Sequence, residues 1–174
     1  GSDQVRQRLV SFWTNHFTMG GFESRELSSH AMEEGILGSF NDSFASMLYK
    51  ATTHPAMLMY LDNHISAGPN SQHVRWARSR NEQAGLNDNL GRELLELHTV
   101  SPDVNYTETD IRNAAKVLAG WGMDVQGNSP QNLLEQAGTI NHWDMYKKNW
   151  AEPGSKLVLG KTIYQGKQGL KQLT

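Results

Sequence analysis

The stretch Asn87-Asp88-Asn89-Leu90-Gly91-Arg92-Glu93-Leu94-Leu95-Glu96-Leu97-His98-Thr99 indicates how the rest of the chain is arranged. Apolar residues recur at the spacing of one helical face, namely Leu86, Leu90, Leu94 and Leu97. Asn87 has the short polar side chain that caps a first turn, and Leu95 lies on the opposite face. We therefore expect a central helix over 87–100, buried on most of its circumference, whose polar side chains must find partners within the protein.

Composition limits the classes of protein that this chain can belong to. Its 174 residues are 37% hydrophobic and 20% charged, which fits one domain over 1–174 with a core of ordinary size. The formal net charge of -2 gives no overall basic field for nucleic acid. The chain has no cysteine, and no apolar run approaches the ~18 residues of a membrane span. We expect no nucleic-acid partner, no membrane span and no cofactor.

Helical spacing recurs on both sides of the central stretch, so the predicted fold is all-α or predominantly α, a compact helical bundle. The further predicted helices cover residues 3–18, 24–34, 42–53, 55–63 and 108–119. The polar residues 64–86 are predicted to form a long loop, because Gly68-Pro69-Asn70-Ser71 is a turn signal. Residues 125–174 are predicted to form a less regular C-terminal arm, with short strands near 156–159 and 162–164 and a final helix from 168.

Several short motifs resemble the bacterial domain-of-unknown-function family 1800. They are Trp13-Thr14-Asn15-His16-Phe17, His54-Pro55-Ala56-Met57, Tyr60-Leu61-Asp62-Asn63, Gly68-Pro69-Asn70-Ser71, Gly85 to Thr99, Tyr106-Thr107 with Asp110, Gly120-Trp121 and Glu152-Pro153-Gly154-Ser155-Lys156. The resemblance implies a mostly helical protein that is exported to the bacterial cell envelope. It also implies a partner encoded nearby, another exported protein. We expect a periplasmic or secreted protein and a fragment from the middle of a longer chain. The resemblance implies no reaction.

The chain departs from the family's pattern at two places. Many relatives have a Pro-His-Ala-Leu-Gly stretch before the position of Phe44, whereas Ser39 stands here where the His would fall. The Gly that usually follows the central His-Thr is replaced around Ser101-Pro102. Any function that depends on that histidine is therefore not expected in this chain.

The candidate catalytic residues are Glu93, Glu96 and His98, which could form an acid–base or metal site. On a regular helix, however, the imidazole lies ~140–160° around the axis from either carboxylate. Helical metal sites place their ligands three or four residues apart. A metal would therefore need the pair Glu93 and Glu96 together with a ligand from another helix, and we assign no metal site.

Two other interpretations of the central helix stay open. In the first, which we favour, Arg92 pairs with Glu93 or Glu96 in a buried structural network, and His98 caps carbonyl groups at its own helix end. In the second, polar side chains line a cleft that binds a polar ligand such as a sugar, a peptidoglycan fragment or another glycan. The candidates for that cleft are Asn87, Asn89 and Arg92.

Three polar residues outside the central helix are further candidates for ligand binding. His16 lies among aromatic residues and is more simply a hydrogen-bonded core residue. His54 precedes Pro55 and is more simply a helix N-cap. Asp62 and Asn63 end an apolar helix and are more simply bonded to the backbone of their own turn.

Two tryptophans, Trp76 and Trp143, lie in polar surroundings and are candidates for an exposed binding surface. The preferred hypothesis is a cell-envelope module, non-catalytic or of a kind not yet catalogued, with a polar cleft that binds a polar ligand or a partner protein. The alternative is a hydrolase, with or without a metal, that uses Glu93 or Glu96 as its general base.

Overall fold

The computed structural model describes residues 2–17, 43–100, 104–122 and 146–174. The helices in these ranges are α1 (Ser2–His16), α2 (Phe44–Thr53), α3 (Pro55–Tyr60), a 3₁₀ turn (Asn63–Ile65), α4 (Gln72–Ser79), α5 (Asn89–Glu96), α6 (Glu108–Leu118) and α7 (Lys167–Leu173). Two short strands, β1 (Lys156–Val158) and β2 (Lys161–Ile163), precede the last helix. The predicted helix 24–34, Ser39 and Trp143 lie outside the described residues.

The predominantly helical class predicted from the sequence is confirmed, and most helices begin and end near their predicted limits. Helix α6 begins with a complete capping box: the Thr107 side chain accepts a hydrogen bond from the backbone N–H of Asp110, and the Asp110 carboxylate accepts one from the backbone N–H of Thr107. The same carboxylate also accepts a hydrogen bond from the backbone N–H of Leu159, at 2.8 Å. One side chain thus ties the start of α6 to the turn between β1 and β2.

The two strands form an antiparallel hairpin, with Lys156 opposite Ile163 and Val158 opposite Lys161. Val158 and Ile163 are buried, and both belong to the apolar core that α2, α3, α5 and α6 share. The predicted C-terminal strands are therefore confirmed. They cover one side of the helical bundle.

The central helix packs most closely against α6, and Gly91 explains why the two backbones can approach. A Cβ atom built on Gly91 would lie 2.7 Å from the backbone nitrogen of Ala115, so no larger residue fits without a shift. Leu90, Leu94 and Leu95 are buried beside this contact. The predicted central position of this helix agrees with the packing.

The central helix is shorter than the predicted span 87–100, since α5 ends at Glu96. Leu97, predicted to lie on the buried face, is 58% exposed, because the helix ends one residue before it. At the other end the Asn87 side chain accepts a hydrogen bond from the backbone N–H of Asn89, at 2.9 Å. The prediction that most of the circumference is buried agrees with the structure in part: four residues of α5 are buried, three are half-buried, and Asn89 in the first turn is exposed.

The prediction of an uninterrupted loop over 64–86 is also wrong, because this range contains the end of the 3₁₀ turn and the whole of α4. Ser71 caps α4 through its side chain, which accepts a hydrogen bond from the backbone N–H of Val74. Val74 and Ala77 are its two buried residues. These two small apolar residues alone mark its buried face, and the glycine, proline and asparagine before it favoured a loop.

Asn63 was expected to bond to its own turn, and that expectation is wrong. It is buried, and its amide nitrogen donates to the carbonyl oxygens of Leu118, at 3.1 Å, and Trp121, at 2.7 Å. Leu118 is the last residue of α6 and Trp121 lies three residues beyond it, so both carbonyls belong to the chain's exit from this helix. Asn63 therefore joins the turn after α3 to the end of α6.

Candidate functional site

The polar face of α5 carries an ion-pair network centred on Arg92. The Arg92 guanidinium lies 3.1 Å from a Glu96 oxygen and 2.9 Å from a Glu108 oxygen, so it joins α5 to the first turn of α6. Hydrogen bonding to Arg92 lowers the pKa of Glu108 below its usual value. The predicted pairing with Glu96 is confirmed, but the predicted burial is wrong: the Arg92 side chain is 37% exposed and that of Glu108 is 70% exposed.

Glu93 does not belong to this network. Within the described part of the chain, its carboxylate has no hydrogen bond and no ion pair. Partial burial and, second, the neighbouring charge of Glu96 raise its pKa. The Glu93 carboxylate is therefore partly buried and is a weaker acid than usual. A raised pKa of this kind is found in general acids and bases and also in many structural residues.

His98 lies at the end of the central helix and is 4% exposed. Its Nδ1 atom has no hydrogen-bond partner among the described residues. The ring packs against Phe17, with centroids 5.3 Å apart, and against His16, at 6.2 Å. Burial and, second, the charge of His16 lower the pKa of His98 to about 4, so this imidazole is neutral at pH 7.

The expectation that His98 caps its own helix through its side chain is not met; instead, His16 bonds to the backbone of His98. The Nε2 atom of His16 lies 3.1 Å from the carbonyl oxygen of His98 and can donate to it. The interpretation of His16 as a hydrogen-bonded residue that packs among aromatic side chains is thus supported by its contacts with Trp13 and Phe17.

The other candidate residues are placed separately. His54 is buried and caps α3, since its Nδ1 accepts a hydrogen bond from the backbone N–H of Ala56 at 3.1 Å, as predicted. Asp62 is exposed, with a left-handed backbone (φ 55°). Among the candidates, the structure thus brings Arg92 to Glu96 and His16 to His98. In the described ranges, no three His, Asp or Glu side chains are grouped so that they could hold a metal ion.

A second polar surface lies on α4 and the segment that packs beside it. Five side chains stack there in sequence, and we call them the aromatic row: Arg80, Trp76, His73, Trp150 and Lys147. The Arg80 guanidinium carbon is 4.3 Å from the centroid of the Trp76 ring, and the His73 and Trp76 centroids are 6.0 Å apart. The His73 and Trp150 rings lie 3.8 Å apart and nearly parallel, at 13°. The Lys147 ammonium is 3.5 Å from the Trp150 centroid.

Backbone hydrogen bonds hold the two halves of the aromatic row together. The N–H of His73 donates to the carbonyl of Asn149 at 2.9 Å, and the N–H of Gly68 donates to the carbonyl of Trp150 at 2.8 Å. The ammonium of Lys147 also donates to the carbonyl of His64 at 2.7 Å. The row is therefore built on fixed backbone and not on an isolated loop.

A buried carboxylate fixes the turn that precedes α4. Glu152 is buried, and its two oxygens accept hydrogen bonds from the backbone N–H of Asn70, at 2.8 Å, and from the Asn70 side chain, at 2.6 Å. Gly68 lies so close that a Cβ atom there would approach the Glu152 Cα to 2.5 Å. Charge-assisted bonds of this kind are stronger than neutral ones, so Glu152 holds α4 and the Trp150 segment in register.

The charge around the aromatic row is mainly positive. Burial and, second, the charge of Lys147 lower the pKa of His73, while Glu82 opposes this shift, so the imidazole is neutral at pH 7. Arg75, Arg78 and Arg80 form no ion pair with a carboxylate in the part of the chain that the structure describes. The row thus ends in a guanidinium that has no anionic partner there.

The sequence analysis identified Trp76 as a candidate for an exposed binding surface, and Trp76 is 46% exposed. It missed His73, Arg80, Trp150 and Lys147. A signal existed for the first two, because residues 73, 76 and 80 lie on one flank of a helix. No local signal could have paired His73 with Trp150, which is 77 positions later in the chain.

No helix within the described ranges combines the length and the apolar composition of a membrane-spanning segment. Searches of curated proteins and of solved structures found no match. The comparison with protein families matches residues 1–174 to the family described as "Protein of unknown function (DUF1800)". Because this match covers the whole sequence, the chain belongs to the DUF1800 family.

Proposed function

We propose that this chain is a non-catalytic binding module of the bacterial cell envelope and that it binds a glycan at the aromatic row. The observation that carries the proposal is the exposed ring of Trp76, held in a fixed stack between Arg80 and His73. The assignment to the cell envelope rests on the family resemblance. A partner protein encoded nearby stays a prediction.

Sugar rings and indole rings are chemically complementary. A pyranose presents apolar C–H faces between polar hydroxyl groups, and a tryptophan offers a flat apolar surface beside a polar N–H. Binding sites of this kind combine aromatic walls with a few polar groups that fix the ligand's orientation. The aromatic row supplies both: the part of the Trp76 ring that Arg80 and His73 leave exposed offers the apolar contact, and Arg80 is a donor.

The fixed backbone of the aromatic row favours binding for a second reason. Ligand binding usually costs free energy because side chains become ordered. Here His73 stacks on Trp150 at 3.8 Å, and its backbone N–H is bonded to Asn149. Fewer side chains therefore have to become ordered when the ligand binds, and the free-energy cost of binding is smaller.

The polar face of α5, which one interpretation of the sequence made the lining of a cleft, is less suited to a ligand. Its guanidinium already bonds two carboxylates, Glu96 and Glu108, and a ligand would have to replace these charge-assisted bonds. The ligand-binding role of Asn87, Asn89 and Arg92 therefore gives way to the aromatic row in our proposal.

Tryptophan fluorescence during titration with chito-oligosaccharides tests the proposal. We expect a saturable change in wild type and an affinity reduced about tenfold or more in Trp76→Ala, because the exposed ring is removed. Tyr164→Ala is the matched control, since Tyr164 is an exposed aromatic outside the row. Equal affinity of Trp76→Ala and wild type would refute the proposal.

One observation favours the alternative, a hydrolase that uses Glu93 as general base: partial burial raises the pKa of this carboxylate. The test is hydrolysis of glycan and ester substrates by wild type and Glu93→Gln. A hydrolase would show turnover that Glu93→Gln loses while its melting temperature is retained. We expect no turnover in either protein.

A further inference from the structure

The following inference rests on the proposed function and names the class of glycan. We infer that the aromatic row binds a glycan that carries a carboxylate, with the Arg80 guanidinium pairing with the carboxylate while Trp76 contacts the sugar ring. Three observations support it: the geometry of Arg80, its lack of an anionic partner in the described ranges, and the charge of α4.

Arg80 is oriented by its stack on Trp76. The Arg80 guanidinium carbon lies 4.3 Å from the centroid of the Trp76 ring. Guanidinium groups stack on aromatic rings through their flat face, which leaves their N–H donors at the edge of the contact. Two of these donors match the two oxygens of a carboxylate. The stack therefore holds Arg80 ready for a planar anion beside the indole, without loss of the cation–π contact.

The charge of Arg80 is not neutralised by the protein in the described part of the chain. No carboxylate described by the structure forms an ion pair with it, in contrast to Arg92, which has two. Both arginines belong to a chain with a formal net charge of -2. Within the described ranges Arg80 thus keeps an unneutralised charge beside an exposed tryptophan, an arrangement that favours an anionic ligand.

The number of donors favours a single carboxylate over a phosphate. Arg75 and Arg78 are exposed, but Arg78 lies ~160° around α4 from Trp76, so it serves the opposite flank. Lys147, at the far end of the row, already donates to the His64 carbonyl. One bidentate donor matches a planar ion of single charge, whereas phosphate sites usually collect several donors.

The experiment compares two tetrasaccharides that differ only in the anionic group. One is chitotetraose, and the other alternates N-acetylglucosamine with N-acetylmuramic acid whose lactyl carboxylates are free. Calorimetric titration of wild type should give an affinity about tenfold higher for the acidic sugar, in line with one charge-assisted pair. This preference should shrink as the salt concentration rises, because the pair is exposed.

Two variants locate the effect. Arg80→Gln should bind the two tetrasaccharides with equal affinity, since the carboxylate has lost its partner. Arg78→Gln is the matched control, because it removes an equal charge from the other flank of α4, and it should keep the tenfold preference. An Arg80→Gln protein that still prefers the acidic sugar would overturn the inference.

The outcomes separate the inference from the proposed function. If wild type binds the two tetrasaccharides equally, the protein binds glycans and the carboxylate assignment is wrong. If it binds neither, the proposed function is wrong as well. Polyglutamate tests whether charge alone is recognised, as it would be for an acidic protein partner. If polyglutamate binds Trp76→Ala as tightly as wild type, the inference is overturned.

Discussion

The polar face of α5 and the aromatic row on α4 each lie on the exposed side of a helix whose other side is buried. The two surfaces differ in what their arginines contact. On α5 the guanidinium of Arg92 is paired with Glu96 and Glu108. In the row the guanidinium of Arg80 lies on the ring of Trp76 and has no carboxylate partner within the described ranges. Paired charges stabilise a fold, whereas charges without a partner in the protein are available to a ligand. Breaking the ion pairs of Arg92 should therefore change stability, and disturbing the aromatic row should change binding.

Two histidines have a lowered pKa, His98 in the core just after α5 and His73 in the aromatic row, and His98 should show the larger effect. Its pKa is about 4 in the folded protein against 6.5 ordinarily, because of burial and then the charge of His16. Folding favours the neutral form of His98. Its contribution to the free energy of unfolding is therefore fully present above about pH 6.5 and is lost as the pH falls to about 4. The loss is about 3 kcal/mol.

His98→Leu removes this titration, so the free energy of unfolding of the variant, relative to wild type, should rise by about 3 kcal/mol between pH 7 and pH 4. Urea unfolding at several pH values measures it. His73→Leu is the control, because His73 is only partly buried and should change the pH dependence much less. An equal pH dependence of His98→Leu and wild type would contradict the assignment of a buried neutral imidazole.

The next largest effect should come from the buried carboxylate behind the aromatic row. Glu152→Ala leaves the backbone N–H and the side-chain amide of Asn70 without their acceptors. We expect a loss of about 2 kcal/mol in the free energy of unfolding, as for other buried charge-assisted bonds. Glycan affinity should fall too, since Glu152 positions the Trp150 segment.

Glu152→Gln separates the two roles, because it keeps an acceptor oxygen and nearly the same volume. It should recover most of the stability and most of the affinity. A Glu152→Ala protein with wild-type glycan affinity would show that the row does not depend on this carboxylate for its geometry.

The smallest effect is expected on the polar face of α5. Glu93→Gln removes a carboxylate that has no partner among the described residues and that lies near Glu96. Its free energy of unfolding should stay within about 0.5 kcal/mol of wild type, as for most surface substitutions. Thermal unfolding measures it, and a large loss would support the buried network that the sequence analysis favoured.

The sequence predicted the elements whose signals are local. The capping box of Thr107 and Asp110 and the apolar spacing of α6 placed that helix within about a residue of its observed limits. His54 before Pro55 was identified as an N-cap for the same reason. Such features depend on atoms a few residues apart, so the sequence contains them directly.

What the sequence did not predict depends on distant residues. Glu108, which pairs with Arg92, is 16 positions away, and Trp150 is 77 positions from His73. Asn63 bonds to α6 across 55 positions. The burial of the polar face of α5 was overestimated because helical spacing shows which residues share a face, but not whether another element covers it.

The most direct test of the central claim is a nuclear magnetic resonance titration that follows the indole N–H signals of the five tryptophans and the guanidinium signal of Arg92. The ligand is the tetrasaccharide with free lactyl carboxylates, and single tryptophan-to-phenylalanine variants assign the signals. We predict that the signals of Trp76 and Trp150 move in proportion to bound ligand while that of Arg92 stays in place. Movement of the Arg92 signal, with those of Trp76 and Trp150 unchanged, would contradict the account.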